Sequence, residues 1–462
     1  MLTVGDFFEI FIIKTRLYFT CTLFVINVES IQLICHRILN INKNNQEKNR
    51  QSILPKAFES KNYFLYFLGS LASVNGFQIF MFTESWITHE LNESPEALGL
   101  LGLFTALPTI ILNLFGGALA DRFNKKLLIT VCQIFTFFGV GLFAFLYQID
   151  FMKYWHIYIF AAAGGAINAF ELPARMSYYP LLINKDAMPS AVAMNSMTWQ
   201  GTRVIAPAIA GLLIALFGGT TTLLICCVCF LLMIFFLNLT HVDISKLKQK
   251  GNPLQDIIDG LLFIYKNKLF LTIIGYSFFI GFFGWVYLTM MPYMAVQVLK
   301  VDSSGTGILM TSAGMGAVIP TVIFARAGIN DRRMGISAGS FFSGISILLF
   351  AFTAYQFQSF YITMFFVFLI GLFSSVYMLS AISTIQLNVP DQLRGRIMGI
   401  YTITYSIISL GGLYSGLVGG FLDRLLVTDH IGVPISIGLG GIIVIIGSIC
   451  IYLFNESLKK EI

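Results

Sequence analysis

The chain contains twelve apolar runs of about twenty or more residues each, separated by short polar and charged breaks. They fall at 62–86, 96–120, 127–147, 154–178, 190–217 and 219–238, then 269–297, 304–325, 335–355, 359–383, 394–421 and 434–454. At about 1.5 Å per helical residue, each run covers the roughly 30 Å of hydrocarbon in a bilayer. Runs this long and continuous exclude membrane-barrel strands, which alternate with period two. Only 11% of the 462 residues are charged, against about 25% in soluble domains. The expected fold is an all-α membrane protein with twelve transmembrane helices in two six-helix halves.

The positions of Lys and Arg set the expected topology. With the N-terminus inside, 25 of the 29 fall in cytoplasmic segments. Lys153, Lys300 and Arg424 fall outside, and Arg203 lies within span 5. Such a bias places both termini in the cytoplasm. The net charge of +6 is spread between apolar runs and forms no patch, so no nucleic-acid partner is expected.

The longest internal break, 238–268, separates six spans from six. The sequence thus divides into an extension over 1–60, an N-terminal bundle over 61–238, a linker over 239–268, a C-terminal bundle over 269–455 and a tail over 456–462. The extension is expected to be cytoplasmic and partly disordered or interfacial, because Glu9, Lys14 and Arg16 interrupt apolar pieces too short to span. A thirteenth span is the competing reading. In the linker, Leu254, Ile257, Ile258, Leu261 and Leu262 recur at helical spacing after Asn252 and Pro253. They predict an amphipathic helix on the cytoplasmic surface.

Chemistry-bearing clusters are sparse. The seven cysteines mostly sit inside apolar runs without metal-ligand spacing, and the five histidines are scattered. No metal and no cofactor are expected. With no phosphate-binding loop, ATP is not the driver. No paired acids or nucleophile–base set lies at membrane depth, so no enzyme activity is expected.

The turn between spans 2 and 3, within GGALADRFNKKLLI (Gly116–Ile129), carries the most specific signal. It resembles the loop signature of the major facilitator superfamily, Gly-x-Leu-Ala-Asp-Arg-x-Gly-Arg-Lys. Gly117, Leu119, Ala120, Asp121, Arg122, Lys125 and Lys126 follow the pattern, with Lys125 in place of Arg. Asn124 replaces a glycine, which predicts a left-handed residue there.

Three further stretches sharpen the resemblance: SWITHELNESPEALGLLGLF, NAFELPARMSYYPLLINKDAMPSAVAMNSMTWQGTRVIAPAIAGLL and VPDQLRGRIMGIYTITYSIISLGGLYSGLVGG. Together they are similar to the bacterial drug:proton antiporter family 3 branch, with its macrolide-efflux and enterobactin-exporter-like proteins, over about residues 55–455. The resemblance implies that Asp121 meets the start of span 11 beside Arg394 and Arg396, forming a latch on the cytoplasmic gate. A solvated, topology-setting turn is the alternative. Asp331–Arg332–Arg333 in loop 8–9 echoes Asp121–Arg122, as parallel repeats should.

In span 5 the antiporters' glycine-rich motif survives only as Pro207 and Gly211, with Ala206 and Ala210 at glycine positions. Close helix packing and an antiport signature both fit. Ionisable groups inside hydrocarbon are functional candidates, and these are Glu84, Glu171, Arg175 and Arg203. Glu171 is the expected proton carrier, paired with Arg203 on the next helix, and Glu84 ranks second. A static ion pair is the competing reading for Glu171.

Asn75, Gln78, Asn113, Asn195, Gln200, Trp285 and Gln386 are expected to line a largely apolar cavity, with Trp199 and Tyr287 as further wall candidates. The implied activity is proton-coupled export of a small amphipathic molecule, a drug or siderophore, by alternating access. The implied setting is a monomer in a bacterial cytoplasmic (inner) membrane, with the substrate, protons and the lipid bilayer as partners. Facilitated uptake or uniport remains open, as does a non-transporting scaffold or receptor.

Overall fold

The computed structural model describes residues 55–241, 253–327, 331–390, 393–426 and 430–454. Within them, the side chains at 114–122, 185, 253–257, 259, 325–327, 394–395 and 454 are outside the description. The expected extension up to residue 54 and the tail at 456–462 lie outside the described residues.

In hydrocarbon no water bonds the backbone, so every N–H and C=O must be satisfied within the segment. The apolar runs accordingly form helices, and no strand occurs among the described residues. Span 1 is Lys61–Leu91, opened by Ser60, whose side chain accepts from the Tyr63 amide. Spans 2 to 4 are Pro95–Arg122, Lys125–Gln148 and Tyr154–Tyr178. One helix, Met188–Asn238, is 51 residues long. At about 1.5 Å per residue it would cross a bilayer twice, and it does so by bending at Gly218, where φ is +80°. Only glycine takes that conformation without strain, so 188–217 and 219–238 serve as spans 5 and 6, as the sequence predicts.

Span 7, Lys268–Val298, is long enough but not continuous. A regular helix ends at Gly284, and short turns at Val286–Thr289 and Met291–Tyr293 lead into a π-helical turn at Met294–Val298. Interrupted backbone at membrane depth is tolerated where it is buried in protein or lines a cavity. Spans 8 to 12 are Ser303–Ala327, Arg332–Phe357, Phe360–Asn388, Arg394–Leu426 and Gly432–Phe454. Twelve spans in two halves result.

Each half has its own core. Phe143, Leu223 and Phe230 anchor the first half; Phe270, Phe350 and Ile370 anchor the second. Small residues bring helices together: Gly76 of span 1 lies against Cys229 of span 6, and Gly344 of span 9 against Gly441 of span 12. Large apolar side chains such as Phe135, Phe138, Phe235 and Phe352 remain uncovered on the rim, as lipid-facing positions must.

Successive spans alternate in direction, so one end of the bundle collects the starts of spans 1, 3, 5, 7, 9 and 11. That end carries the Lys- and Arg-rich breaks and is called the basic end below. The linker helix, Pro253–Lys266, packs there, with Gly260 against Arg396 and Ile400 of span 11. Ile258, Leu261, Leu262 and Tyr265 stay uncovered by protein, consistent with an amphipathic helix at a membrane surface.

The charged turn differs from expectation at Asn124. Asn124 is not left-handed: with φ −62° and ψ 111° it is the N-cap of span 3, and its side chain accepts from the Lys126 and Leu127 amides. Helix starts favour an extended residue with a short side-chain acceptor, which Asn supplies. Asp331 does the same for span 9, accepting from the Met334 amide at 2.8 Å, so it matches Asn124 in role. Lys126, meanwhile, donates to the carbonyls of Asn238 (3.2 Å) and Thr240 (2.7 Å). A cation on the closing carbonyls of span 6 is the favourable arrangement there.

Candidate transport site

The two halves meet most closely away from the basic end. Gly99 of span 2 lies against Gly412, Leu413 and Gly416 of span 11, and Gly102 lies against Ser409. On the other side of the seam, Gly211 of span 5 abuts the Ser303 carbonyl, and Gly307 of span 8 abuts the Pro207 carbonyl. A side chain at these glycines would hold the backbones apart. Pro207 and Gly211 therefore lie at the contact between the halves. Glu96 and Arg424 bridge spans 2 and 11 at 2.7 Å, and His89 of span 1 packs edge-on against Tyr293 of span 7.

A cavity of about 710 Å³ lies between the halves, within the size range of ligand pockets. Spans 1, 2 and 5 form one wall and spans 7, 8, 10 and 11 the other. The lining extends toward the basic end through Ala193 and Met197 of span 5 and Val322 of span 8. Met197 is 67% exposed. The seam thus closes one end of the bundle, and the cavity extends toward the other.

Of the seven cavity residues expected from sequence, Gln78, Gln200 and Trp285 line it, and Tyr287 does too. The other four do not. Asn75 turns back to the Leu71 carbonyl at 2.8 Å, Asn195 faces Met176 of span 4, Gln386 is exposed, and Asn113 lies away from the lining. Trp199 is also off the wall. Sequence reasoning missed Met81, Thr105, Met310, Ala313, Ser374 and Ser409. Small and apolar residues carry no chemical signal of a wall.

The ionisable groups separate into two settings. Glu171 does not pair with Arg203. Its carboxylate takes Arg175, one helical turn away, at 2.5 Å, and accepts from Gln133 Nε2 at 2.7 Å. Arg175 also donates to Ser73 Oγ (2.6 Å) and Ser70 Oγ (3.3 Å), and Ser73 donates to Gln133 Oε1 (3.0 Å). The network ties spans 1, 3 and 4 together inside the first half, off the cavity. An i,i+4 partner on its own helix supplies the counter-charge that the next span was expected to give.

Arg203 instead sits in the cavity wall, its guanidinium 4.8 Å from the Trp285 ring centroid. Glu84 also lines the cavity. It is only 2% exposed, and its Oε1 has no hydrogen-bond partner among the described residues. The side chains of Asp121, Arg122 and Arg394, and residue Gly117, fall where contacts are outside the description. Lys125 is buried at the start of span 3. The expected latch contact thus lies outside what is described.

The sequence profile of the transmembrane secretion effector family matches residues 56–460. The chain belongs to this family, within the major facilitator superfamily. It is similar to the staphyloferrin A transporter of Staphylococcus aureus, 26% identical over 405 residues that cover 86% of this chain and 96% of the relative. An uncharacterised transporter of the superfamily in Bacillus subtilis, YfiS, is 24% identical over 71% of this chain and 79% of its own length. Among solved structures, a bacterial homologue of the lysosomal transporter Spinster, in an inward-facing and unoccupied conformation, superposes with a TM-score of 0.68 at 13% identity. It covers 89% of this chain and 99% of the homologue. The D-xylose–proton symporter gives 0.63 at 14% identity, over 86% and 98%. At such identities the likeness is one of fold. This family member is a multi-pass membrane transporter, not an enzyme.

Proposed function

We propose that the chain exports a small amphipathic molecule, of the drug or siderophore class, in exchange for protons, working as a monomer in a bacterial inner membrane. Glu84 is the observation that carries this reading. A buried carboxyl without a partner among the described residues, on the wall of the cavity between two moving halves, gains and loses water as the halves rock. Its proton occupancy therefore depends on conformational state. That dependence is what couples a proton gradient to transport.

Three further points support the reading. The cavity wall is mostly apolar with scattered hydroxyl and amide groups, which suits an amphipathic molecule. The relative named for staphyloferrin A is a transporter of a siderophore-type small molecule. The basic breaks put both termini in the cytoplasm, and the cavity then faces inward. Asp121 and Arg122, with Arg394 and Arg396, form the latch that shuts the basic end in the opposite state. Glu171, held by Arg175 and Gln133, keeps the first half rigid.

The test is transport by the purified chain in proteoliposomes with an acidic interior. The probes are fluorescent amphipaths of anionic, neutral and cationic type, each compared with protein-free vesicles. Export by antiport accumulates at least one probe, and a protonophore abolishes the accumulation. Equilibration without accumulation establishes a uniporter instead, and accumulation only with an alkaline interior establishes symport.

A further inference from the structure

The cavity contains two ionisable side chains of opposite kind among the described residues, Glu84 and Arg203, and the mechanism above uses only the first. Arg203 is an unusual group to leave in an apolar wall. A cation at membrane depth is normally paired with an acid or with carbonyls. Here the acid within one helical neighbourhood, Glu171, is taken by Arg175, and the bridge at the seam is Glu96 with Arg424. Arg203 has no carboxylate or carbonyl partner among the described residues, and its contact is the indole face of Trp285.

The ring contact holds the guanidinium carbon 4.8 Å from the indole centroid, and its N–H donors have no hydrogen-bond or ion-pair partner among the described residues. A guanidinium held in this way is pre-organised for the two oxygens of a carboxylate. Gln200 lies one turn before Arg203 on the same cavity-facing stripe of span 5, with Ser196 a turn before that. The two add neutral donors beside the cation. Trp285 sits at the break in span 7, where the regular helix has ended at Gly284, so the contact joins the first half to the interrupted part of span 7.

We propose that Arg203, seated on Trp285, is an anion subsite, and that the transported class is an amphipathic organic acid whose carboxylate docks on Arg203 while its apolar body fills the rest of the cavity. This rests on the transport reading above and narrows it. The substrate brings the counter-charge for Arg203. Filling the site also loads the contact between the halves, so anion binding and the rocking motion act on one pair of residues.

Three matched probes test the proposal with the full-length purified protein: naphthaleneacetate, its amide, and naphthylethylamine. Binding is read by quenching of tryptophan fluorescence and transport by uptake into proteoliposomes. The carboxylate is expected to bind about tenfold or more tightly than the amide, as a charge-assisted hydrogen-bonded pair should. Arg203→Gln is expected to erase that preference, while Arg203→Lys keeps part of it because the charge remains without the fork.

Trp285→Phe preserves a stacking surface and is expected to weaken carboxylate binding less than Arg203→Gln. It also supplies a variant should Arg203→Gln fail to fold. Equal binding of all three probes, preference for the amine, binding of none, or a carboxylate preference that survives Arg203→Gln would each overturn the anion subsite. Gradient-driven transport of the amide or amine without carboxylate preference would do so while leaving the exporter reading intact. Absence of transport of every amphipath would strike that reading itself.

Discussion

Glu171 and Glu84 are both carboxylates on membrane-spanning helices of the same half, yet the molecule treats them oppositely. Glu171 is enclosed by Arg175 and Gln133, with Ser70 and Ser73 completing the network. Glu84 is more deeply buried and has an oxygen with no partner among the described residues, on a wall that separates the halves. A satisfied buried charge holds helices in place. One left unsatisfied at a moving interface costs free energy in any single state and is suited to change its proton between states. Burial alone therefore does not mark a functional acid. What marks it is burial without a partner where solvent access changes.

The largest expected effect is on coupling. Glu84→Gln should abolish accumulation of probe against its gradient while leaving downhill exchange, measured in proteoliposomes with and without a pH difference. The next is on stability. Arg175→Met strands Glu171 in the core and should cost about 3–5 kcal/mol, read by unfolding of the detergent-solubilised protein. The double variant Glu171→Gln/Arg175→Met should recover part of that loss, because no uncompensated charge remains.

A smaller effect is expected at the seam. Gly307→Leu drives a side chain toward the Pro207 carbonyl and should cost about 1–3 kcal/mol. It should also open the closed end. Thiol labelling of Ser303→Cys in a cysteine-free background measures this, since Ser303 is buried there. The smallest effect belongs to Arg424→Gln. Arg424 is 71% exposed in its bridge to Glu96, so the loss should stay below about 1 kcal/mol. A large loss there would mean that the outer bridge, not the glycine contacts, holds the seam.

The helices were legible because length and hydropathy are one-dimensional signals, and the boundary at Gly218 was legible because its neighbours exceed one bilayer crossing. The break in span 7 was not. Trp285–Val298 is mostly apolar, and its helix-breaking Pro292 lies beyond Gly284, where the regular helix has already ended beside the cavity. Depth in the membrane can be counted along the sequence, which is why Gln78, Gln200 and Trp285 were found. Direction around the helix axis cannot, which is why Asn75, Asn195 and Gln386 point elsewhere.

The true partner of Glu171 was within reach. Arg175 lies four residues on, the spacing at which helical side chains meet, whereas Arg203 belongs to the next span. Asn124 shows the same limit on a smaller scale: its side-chain chemistry suits both a left-handed turn and an N-cap, and the start of span 3 decided between them.

The most direct measurement compares Glu84→Gln with Glu171→Gln in one gradient-driven transport assay, each normalised to folded protein in acid-inside proteoliposomes. Glu84→Gln is expected to lose uphill accumulation and Glu171→Gln, once folded, to retain it. Retention by Glu84→Gln together with loss in Glu171→Gln would contradict that expectation, and would return the proton pathway to the core of the first half.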